Sequence, residues 1–258
     1  MADNLFEIKN LSFSYDKDKV IDDLSLTIKP GGVTTIIGAN GCGKSTLFNL
    51  MTNNLKYDSG EIKFLGEDVS KIKLRELAKK LAIVHQQNTI PFDVTVEKLV
   101  GYGRVPYENL CIPSKRDDDE DKINWAMSVT GVYDIKGELL SQLSGGQRQR
   151  AWIAMSLAQD TDTLLLDEPT TFLDIKHQIE VLKLIESLNK EHGISIIMVL
   201  HDMNQAMRYS TEVIALKAGK SIAQGAPESV INEELLKELY GVELDIVEVK
   251  GKPFVYMA

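Results

Sequence analysis

The stretch Gly38-Ala39-Asn40-Gly41-Cys42-Gly43-Lys44-Ser45-Thr46 puts three glycines, one cation and two hydroxyls within a few residues. It follows G-x-x-x-x-G-K-[ST], a pattern whose chemistry is phosphate binding. A polyphosphate needs many donors close together. Gly38, Gly41 and Gly43 allow backbone conformations that a side chain forbids, so N–H groups can converge on one anion. The first N–H groups of a following helix, with its positive dipole end, add to that field. Lys44 brings a mobile point charge for the β- and γ-phosphates, and Ser45 brings a hydroxyl for Mg²⁺.

Further along, an acidic pair ends the apolar run Leu164-Leu165-Leu166. Asp167 is placed to hold Mg²⁺ through water, Glu168 to polarise an attacking water, and Pro169 stops the strand. The run Ile194 to Leu200 ends in His201-Asp202, with His201 the candidate for a γ-phosphate contact. Gln86 follows Leu81-Ala82-Ile83-Val84; an amide there can ligate Mg²⁺ or orient a water, though locally it reads as an ordinary exposed glutamine. Ser144-Gly145-Gly146-Gln147 opens another helix. Ser144 is its expected cap, and the turn is a second place to receive an anion. Tyr15 is a candidate to stack on a base or, equally, an ordinary strand aromatic. Asp117 to Asp121 is read as an acidic first turn facing water rather than as a metal site. Cys42, at a helix start, is expected to be open to alkylation, with MgATP protecting it.

These residues need elements to carry them. Val33 to Ile37 is a buried strand before the glycine loop, and Leu47, Leu50, Met51 and Leu55 form a helix after it. Phe6, Ile8, Leu11 and Phe13 alternate as one strand, Leu24, Leu26 and Ile28 as another, with Tyr15 to Lys19 as the turn. Asp58-Ser59-Gly60 reads as a turn, Glu61 to Leu65 as a strand and Leu74 to Lys80 as a helix. From about Ile90 to Gln159 strand signals give way to helical ones. There Thr95 to Val100 is a short helix and Gly101 to Pro113 a loop. Ile175, Ile179, Leu182, Ile185 and Leu188 mark a long amphipathic helix. Met203 to Tyr209 is a helix, Val213 to Leu216 and Ser221 to Ala223 are strands, and Pro227 to Tyr240 is one helix. Continuous apolar runs fit parallel strands buried on both faces, whose polar ends would share one edge of a sheet.

The 258 residues carry 43% hydrophobic residues and a net charge of −9, with a pI near 5.1. That suits a normal core and argues against a general binder of nucleic acid or anionic membranes. No apolar run is long enough to span a bilayer. No signal peptide is expected, and Cys42 and Cys111 lack metal or redox spacing, so a reducing cytosol is expected.

Taken in order, these motifs resemble the ATP-binding subunits of ATP-binding-cassette (ABC) transporters over nearly the full length. The resemblance rests on the phosphate loop, Gln86, Leu143-Ser144-Gly145-Gly146-Gln147, Asp167-Glu168, Asp174 and His201. It implies an α/β protein with a RecA-like P-loop NTPase core of mostly parallel sheet. An antiparallel β-subdomain at the amino end and an inserted helical subdomain would complete it. The implied division is 1–89 with 160–241 for the core, 90–159 for the helices, and 242–258 for a small β-unit. The resemblance also implies that Tyr15 stacks on adenine and that Gln86 touches Mg²⁺ and senses a membrane partner. It makes Glu168 the catalytic carboxylate and His201 the switch histidine. Two copies would pair head to tail, each phosphate loop facing the other copy's signature, with Thr170 to Asp174 crossing between them. Gly103 to Tyr107, Gln149 to Met155 and Leu173 to Gln178 resemble importers of ferric siderophores, haem or cobalamin. ATP and Mg²⁺ are the implied cofactors. The implied partners are a second copy, an integral-membrane permease and, indirectly, a substrate-binding protein, with no nucleic acid. A soluble cassette ATPase would usually carry a long coiled-coil insertion or a second cassette, and neither is seen. A GTPase would need Asn-Lys-x-Asp, which Asn189-Lys190-Glu191-His192 misses, and a non-catalytic scaffold would not need Lys44, Glu168 and His201 intact.

Overall fold

The computed structural model describes residues 3–86, 88, 94–108, 118–249 and 252–256. Ile90, Cys111, Pro113 and Asp117, named above, lie outside them. Two compact units form, one of Met1–Lys73 with Ser195–Ala258, the other of Leu74–Ile194.

The first unit holds an antiparallel sheet of β1 (Phe6–Tyr15), β2 (Asp18–Ile28), β4 (Ser59–Phe64) and β5 (Glu67–Asp68), in the order β2-β1-β4-β5. Phe6 and Ile8 are buried, and past an irregularity between Ile8 and Leu11, where Asn10 turns left-handed at φ 48°, Leu11 and Phe13 are buried as well. The hairpin is tighter than the sequence suggests, because Tyr15 already pairs with Asp18. The turn expected at Asp58 to Gly60 is instead the start of β4. Ser59 pairs with Ser12, and Gly60, at φ 98°, lies so close to the Asn10 and Leu11 backbone that a Cβ would overlap it.

A second sheet joins β10 (Lys220–Gly225), β9 (Glu212–Lys217), β3 (Val33–Ile37) and β8 (Ser195–Val199) in that order. Every residue of β3 and β8 is buried. β3 runs parallel to both neighbours, with Val33 opposite Ile196 and Ile36 opposite Val199. The loops that follow β3 and β8 therefore leave the same edge of the sheet. They lead into α1 (Lys44–Met51) and α7 (Met203–Tyr209). The single helix expected from Pro227 to Tyr240 is two, α8 (Pro227–Val230) and α9 (Glu233–Tyr240). Asn232 breaks it by turning extended and accepting the Leu235 N–H at 2.8 Å, a cap that starts a new helix. A hairpin of β11 (Asp245–Val249) and β12 (Lys252–Tyr256) follows.

The second unit pairs β6 (Ala82–Val84) with β7 (Thr163–Leu166) in parallel. Its helices are α2 (Leu74–Leu77), α3 (Val96–Gly101), α4 (Asp119–Val129), α5 (Gly145–Ala158) and α6 (Ile175–His192). Thr95 caps α3. Tyr102–Tyr107, read from sequence as loop, is a 3-10 helix. The acidic turn of α4 also departs from expectation. Glu120 and Asp121 are exposed, but Asp119 is buried and accepts from Arg104 Nε at 2.7 Å. Arg104 Nη1 donates to Ala158 O at 2.8 Å and its guanidinium lies over the Tyr107 ring. A buried guanidinium needs such an anion. On α6 the core face is Val181, Leu182, Ile185 and Leu188, whereas Ile175 and Ile179 are exposed. No helix among the described residues is long and apolar enough to cross a membrane.

Candidate functional site

In the first unit, β3 delivers the chain into Gly38 at φ 151°, Gly41 at 76° and Gly43 at 107°. Only glycine adopts such angles at little cost. A Cβ on Gly38 would sit 2.3 Å from Leu216 O, and one on Gly43 would meet the Ile21 side chain at 2.8 Å. Gly43 caps α1 without any side-chain hydrogen bond. Ala39 is half-buried, Asn40 and Ser45 are exposed, and Thr46 is half-buried. Lys44 is only 5% exposed. Its ammonium donates to Gly38 O at 2.8 Å and Ala39 O at 2.9 Å, so the loop's own carbonyls aim the charge across its mouth. Cys42 is buried, with Sγ 3.9 Å from Lys44 Nζ. Burial corrects the expected openness to alkylation, because reagents cannot reach the thiol from solvent.

His201 follows β8, one strand over from the loop and at the same sheet edge. It is exposed. Asp202 behind it caps α7 by accepting from Gln205 N at 2.9 Å. Tyr15, at the end of β1, is half out of the protein and makes an edge-on contact with Phe13.

In the second unit, β6 and β7 run side by side and bring Gln86 and the acidic pair to their shared carboxyl end. Asp167 N donates to Val84 O at 2.9 Å. Asp167 is buried and Glu168 half-buried. Glu168 Oε2 accepts from Gln86 Nε2 and from Thr171 Oγ1, the latter at 2.9 Å. Its backbone is left-handed at φ 51°. That conformation costs a non-glycine residue free energy and persists where surroundings enforce it, often at functional sites. Two donors on one oxygen fix where the other can point.

The signature turn sits on α5. Ser144 Oγ accepts from Gln147 N at 3.3 Å while Gln147 Oε1 accepts from Ser144 N at 2.9 Å, a closed capping box. Gly145 packs on Leu173, and Gly146 lies against the His177 ring so closely that a Cβ would sit 2.3 Å from its Cδ2. Asp174 caps α6, accepting from His177 N at 3.0 Å and pairing with His177 Nδ1 at 2.7 Å. The His177 backbone N–H first, then its ring, hold the Asp174 carboxyl below the usual carboxylate range. The side chains of Phe172 and Ile175, around Asp174, are 85% and 75% exposed.

The oxygen donors expected for a Mg²⁺ ion are divided between the units: the Ser45 hydroxyl belongs to the first, the Gln86 amide and the Asp167 carboxylate to the second. Mg²⁺ takes few protein ligands and keeps phosphate and water as the rest. No cluster of three or more His, Cys, Asp or Glu side chains suited to a metal occurs among the described residues.

Two residues were not picked out from sequence for these tasks. Thr171 steadies Glu168, and His177 joins the signature turn to Asp174. Thr171 and His177 lie in stretches already noticed, so proximity to Glu168 and Asp174 was the available signal.

A glycine loop built for polyphosphate and an oriented carboxylate at a strand end, on an α/β core, are the parts of a phosphate-transferring ATPase. The chain belongs to the ABC transporter family, whose family model matches residues 21–171, more than half of it. It is 43% identical to the petrobactin import ATP-binding protein FpuC of Bacillus anthracis over 97% of this chain and 92% of that one. It is also 43% identical to the ferric enterobactin transport ATP-binding protein FepC of Escherichia coli K12, over 96% and 92%. Among solved structures, the ATP-binding cassette MJ0796, a dimer in a post-hydrolysis state bound to ADP and Pi, matches with a TM-score of 0.74. The identity there is 26%, over 86% of this chain and 98% of that one.

Proposed function

We propose that this chain is the ATP-hydrolysing subunit of an importer for ferric siderophores, working as a homodimer on a separate membrane permease. The observation that carries the reading is near-full-length identity above 40% to two relatives named for transport of petrobactin and of ferric enterobactin. The substrate would not touch this chain. It would pass through the permease, delivered by a substrate-binding protein, while this subunit stays cytoplasmic and peripheral on the inner face of the membrane. No nucleic acid takes part.

In this reading the first unit supplies the phosphate cradle of Gly38 to Gly43 and Thr46, the charge of Lys44, the adenine platform of Tyr15 and the γ-phosphate contact of His201. The second unit supplies Glu168 to polarise the attacking water. Mg²⁺, held by Ser45, Gln86 and Asp167, would shield the phosphate charge. The second copy offers Ser144, Gly145, Gly146 and Gln147 to the γ-phosphate and contributes Asp174. Exposed Phe172 and Ile175 support a contact there, since apolar side chains left in water beside a functional loop mark interaction surfaces. ATP held from both copies favours the closed dimer, and hydrolysis removes that bridge.

The test is a deletion strain assayed for uptake of radioactive iron as ferric siderophore. Uptake should vanish and return with the wild-type chain but not with Glu168→Gln. Normal uptake in the deletion, with haem or cobalamin uptake lost instead, reassigns the substrate. Unchanged phosphate release by purified Glu168→Gln refutes the catalytic assignment.

A further inference from the structure

The stretch Leu173 to Gln178, singled out above for its resemblance to importers, has a physical task within the second unit. It ties the start of α6 to the start of α5. A helix cap needs one side-chain oxygen, and Asp174 Oδ1 supplies it by accepting from His177 N at 3.0 Å. The second oxygen is engaged as well, with Asp174 Oδ2 2.7 Å from His177 Nδ1. The carboxyl is held below the usual carboxylate range, so it carries no proton and the ring nitrogen is the donor. The same ring fills the space over Gly146 of α5, where a Cβ would sit 2.3 Å from Cδ2 and 2.6 Å from Cγ. Beside it Leu173 meets Gly145, and Gln178 Nε2 donates to Leu173 O at 3.0 Å. Further along the same two helices, Arg150 Nη1 donates to Glu180 Oε2 at 2.8 Å. Through all these ties the Asp174 side chain stays 63% exposed, whereas that of His177 is 25% exposed. The carboxylate is fixed from behind and open in front.

We propose that His177 is a positioning residue for ATP hydrolysis: its ring N–H aims the Asp174 carboxylate, and the seat of the ring on Gly146 locks that carboxylate to the signature turn. The proposal rests on the reading that Asp174 and the signature turn meet ATP bound by the second copy. A carboxylate on an exposed turn is otherwise free to sample several rotamers. With both oxygens engaged its orientation is set, and with the ring seated on a glycine its distance from the Ser144 turn is set too. Two groups that must reach one nucleotide then arrive as one rigid piece, so their ordering is not left to the closing step. Imidazole suits the task because it is a compact ring with an N–H at its edge. Glycine suits the other side, since any Cβ at position 146 would push the ring away.

The test uses the full chain carrying His177→Phe, which keeps a ring over Gly146 without the N–H, or His177→Asn, which keeps an amide N–H near the place of Nδ1. Loss of one hydrogen bond to a charged group predicts a fall of about 10-fold in kcat for His177→Phe. ATP affinity measured by calorimetry should stay within about 2-fold, since the phosphate loop lies in the other unit. His177→Asn should bring kcat back to within about 3-fold of wild type. In the double variant with Asp174→Asn, the loss from His177→Phe should shrink or vanish, because it acts through that carboxylate. Wild-type kcat in His177→Phe overturns the proposal. So does a loss that His177→Asn fails to reverse, or one that adds in full to that of Asp174→Asn. Should His177→Phe fail to fold, His177→Ala takes its place in the same cycle, and full additivity there overturns the proposal. If Asp174→Asn alone keeps wild-type kcat, the reading of Asp174 falls instead, so the two failures are distinguishable.

Discussion

Two helices of this chain begin at glycine turns, and they treat their first amides in opposite ways. α1 starts at Gly43 in a left-handed conformation with no side-chain cap. α5 starts at Ser144 with a reciprocal box, in which Ser144 and Gln147 satisfy each other. The first four N–H groups of any helix lack intrahelical acceptors. At α1 the cap residue has no side chain to offer them, and a cation stands 2.8 Å from the loop's own carbonyl. That turn is built around an outside anion. At α5 part of the demand is met within the turn, so the helix is stable on its own and an anion is an addition. The difference teaches that a glycine-rich helix start is not one kind of site. In the proposed reading the first loop binds nucleotide in its own chain, and the second turn meets a nucleotide brought by a second copy.

The comparison is broken most severely at Lys44. Lys44→Ala removes the charge and the clasp on Gly38 O and Ala39 O. Charge-assisted bonds are each worth about 1.5–3 kcal/mol, so ATP affinity measured by calorimetry should fall about 100-fold. An unchanged affinity would show that the first turn is not the primary anion site.

Gly146→Ala probes the other turn. The added methyl would overlap the His177 ring, which also holds Asp174, so the start of α5 must shift. ATP binding to the isolated chain should stay within about 2-fold, because α1 is untouched. Hydrolysis should drop by about 10-fold or more, as for loss of transition-state donors. Equal losses of affinity in Gly146→Ala and Lys44→Ala would erase the distinction between the two turns.

Much of this contrast is legible in the sequence. An unbroken apolar run before Gly38, another before Asp167 and a serine ahead of two glycines are local signals, and the strands and caps follow from them. What escaped is whatever depended on a distant partner. Asp119 looked like a solvated first-turn acid because Arg104, which buries it, belongs to a segment that reads as loop. Ile175 and Ile179 share the spacing of the core face of α6. Periodicity tells which side is apolar, not how far the packing extends along it. Tyr240 donates to Met203 Sδ, 37 positions earlier in the chain, and no short window of sequence contains both.

A smaller effect separates the turns by their caps. Ser144→Ala opens the box at α5 and should cost about 1 kcal/mol of stability, read as a lower melting temperature with ATP affinity unchanged. No substitution around Gly43 can do the same, because that helix has no side-chain cap to lose. A melting temperature unmoved by Ser144→Ala would mean that the turn is held by the His177 packing alone.

The subtlest expected effect belongs to Tyr240, and it separates the turns by pH. Its phenol is raised from an ordinary value near 10 to about 12 by burial, with the nearby Cys42 adding to the rise and the Gly38 N–H opposing it. In the unfolded chain the phenol would lose its proton near 10, while in the fold it keeps it. The native state then binds more protons, so stability falls as pH rises between about 10 and 12. Tyr240→Phe should remove that component and leave the alkaline limb shallower, measured by urea unfolding across this range. Ser144→Ala has no titrating partner at its turn and should keep the full alkaline slope. If both variants show the wild-type slope, burial of the Tyr240 phenol does not shape the alkaline limb.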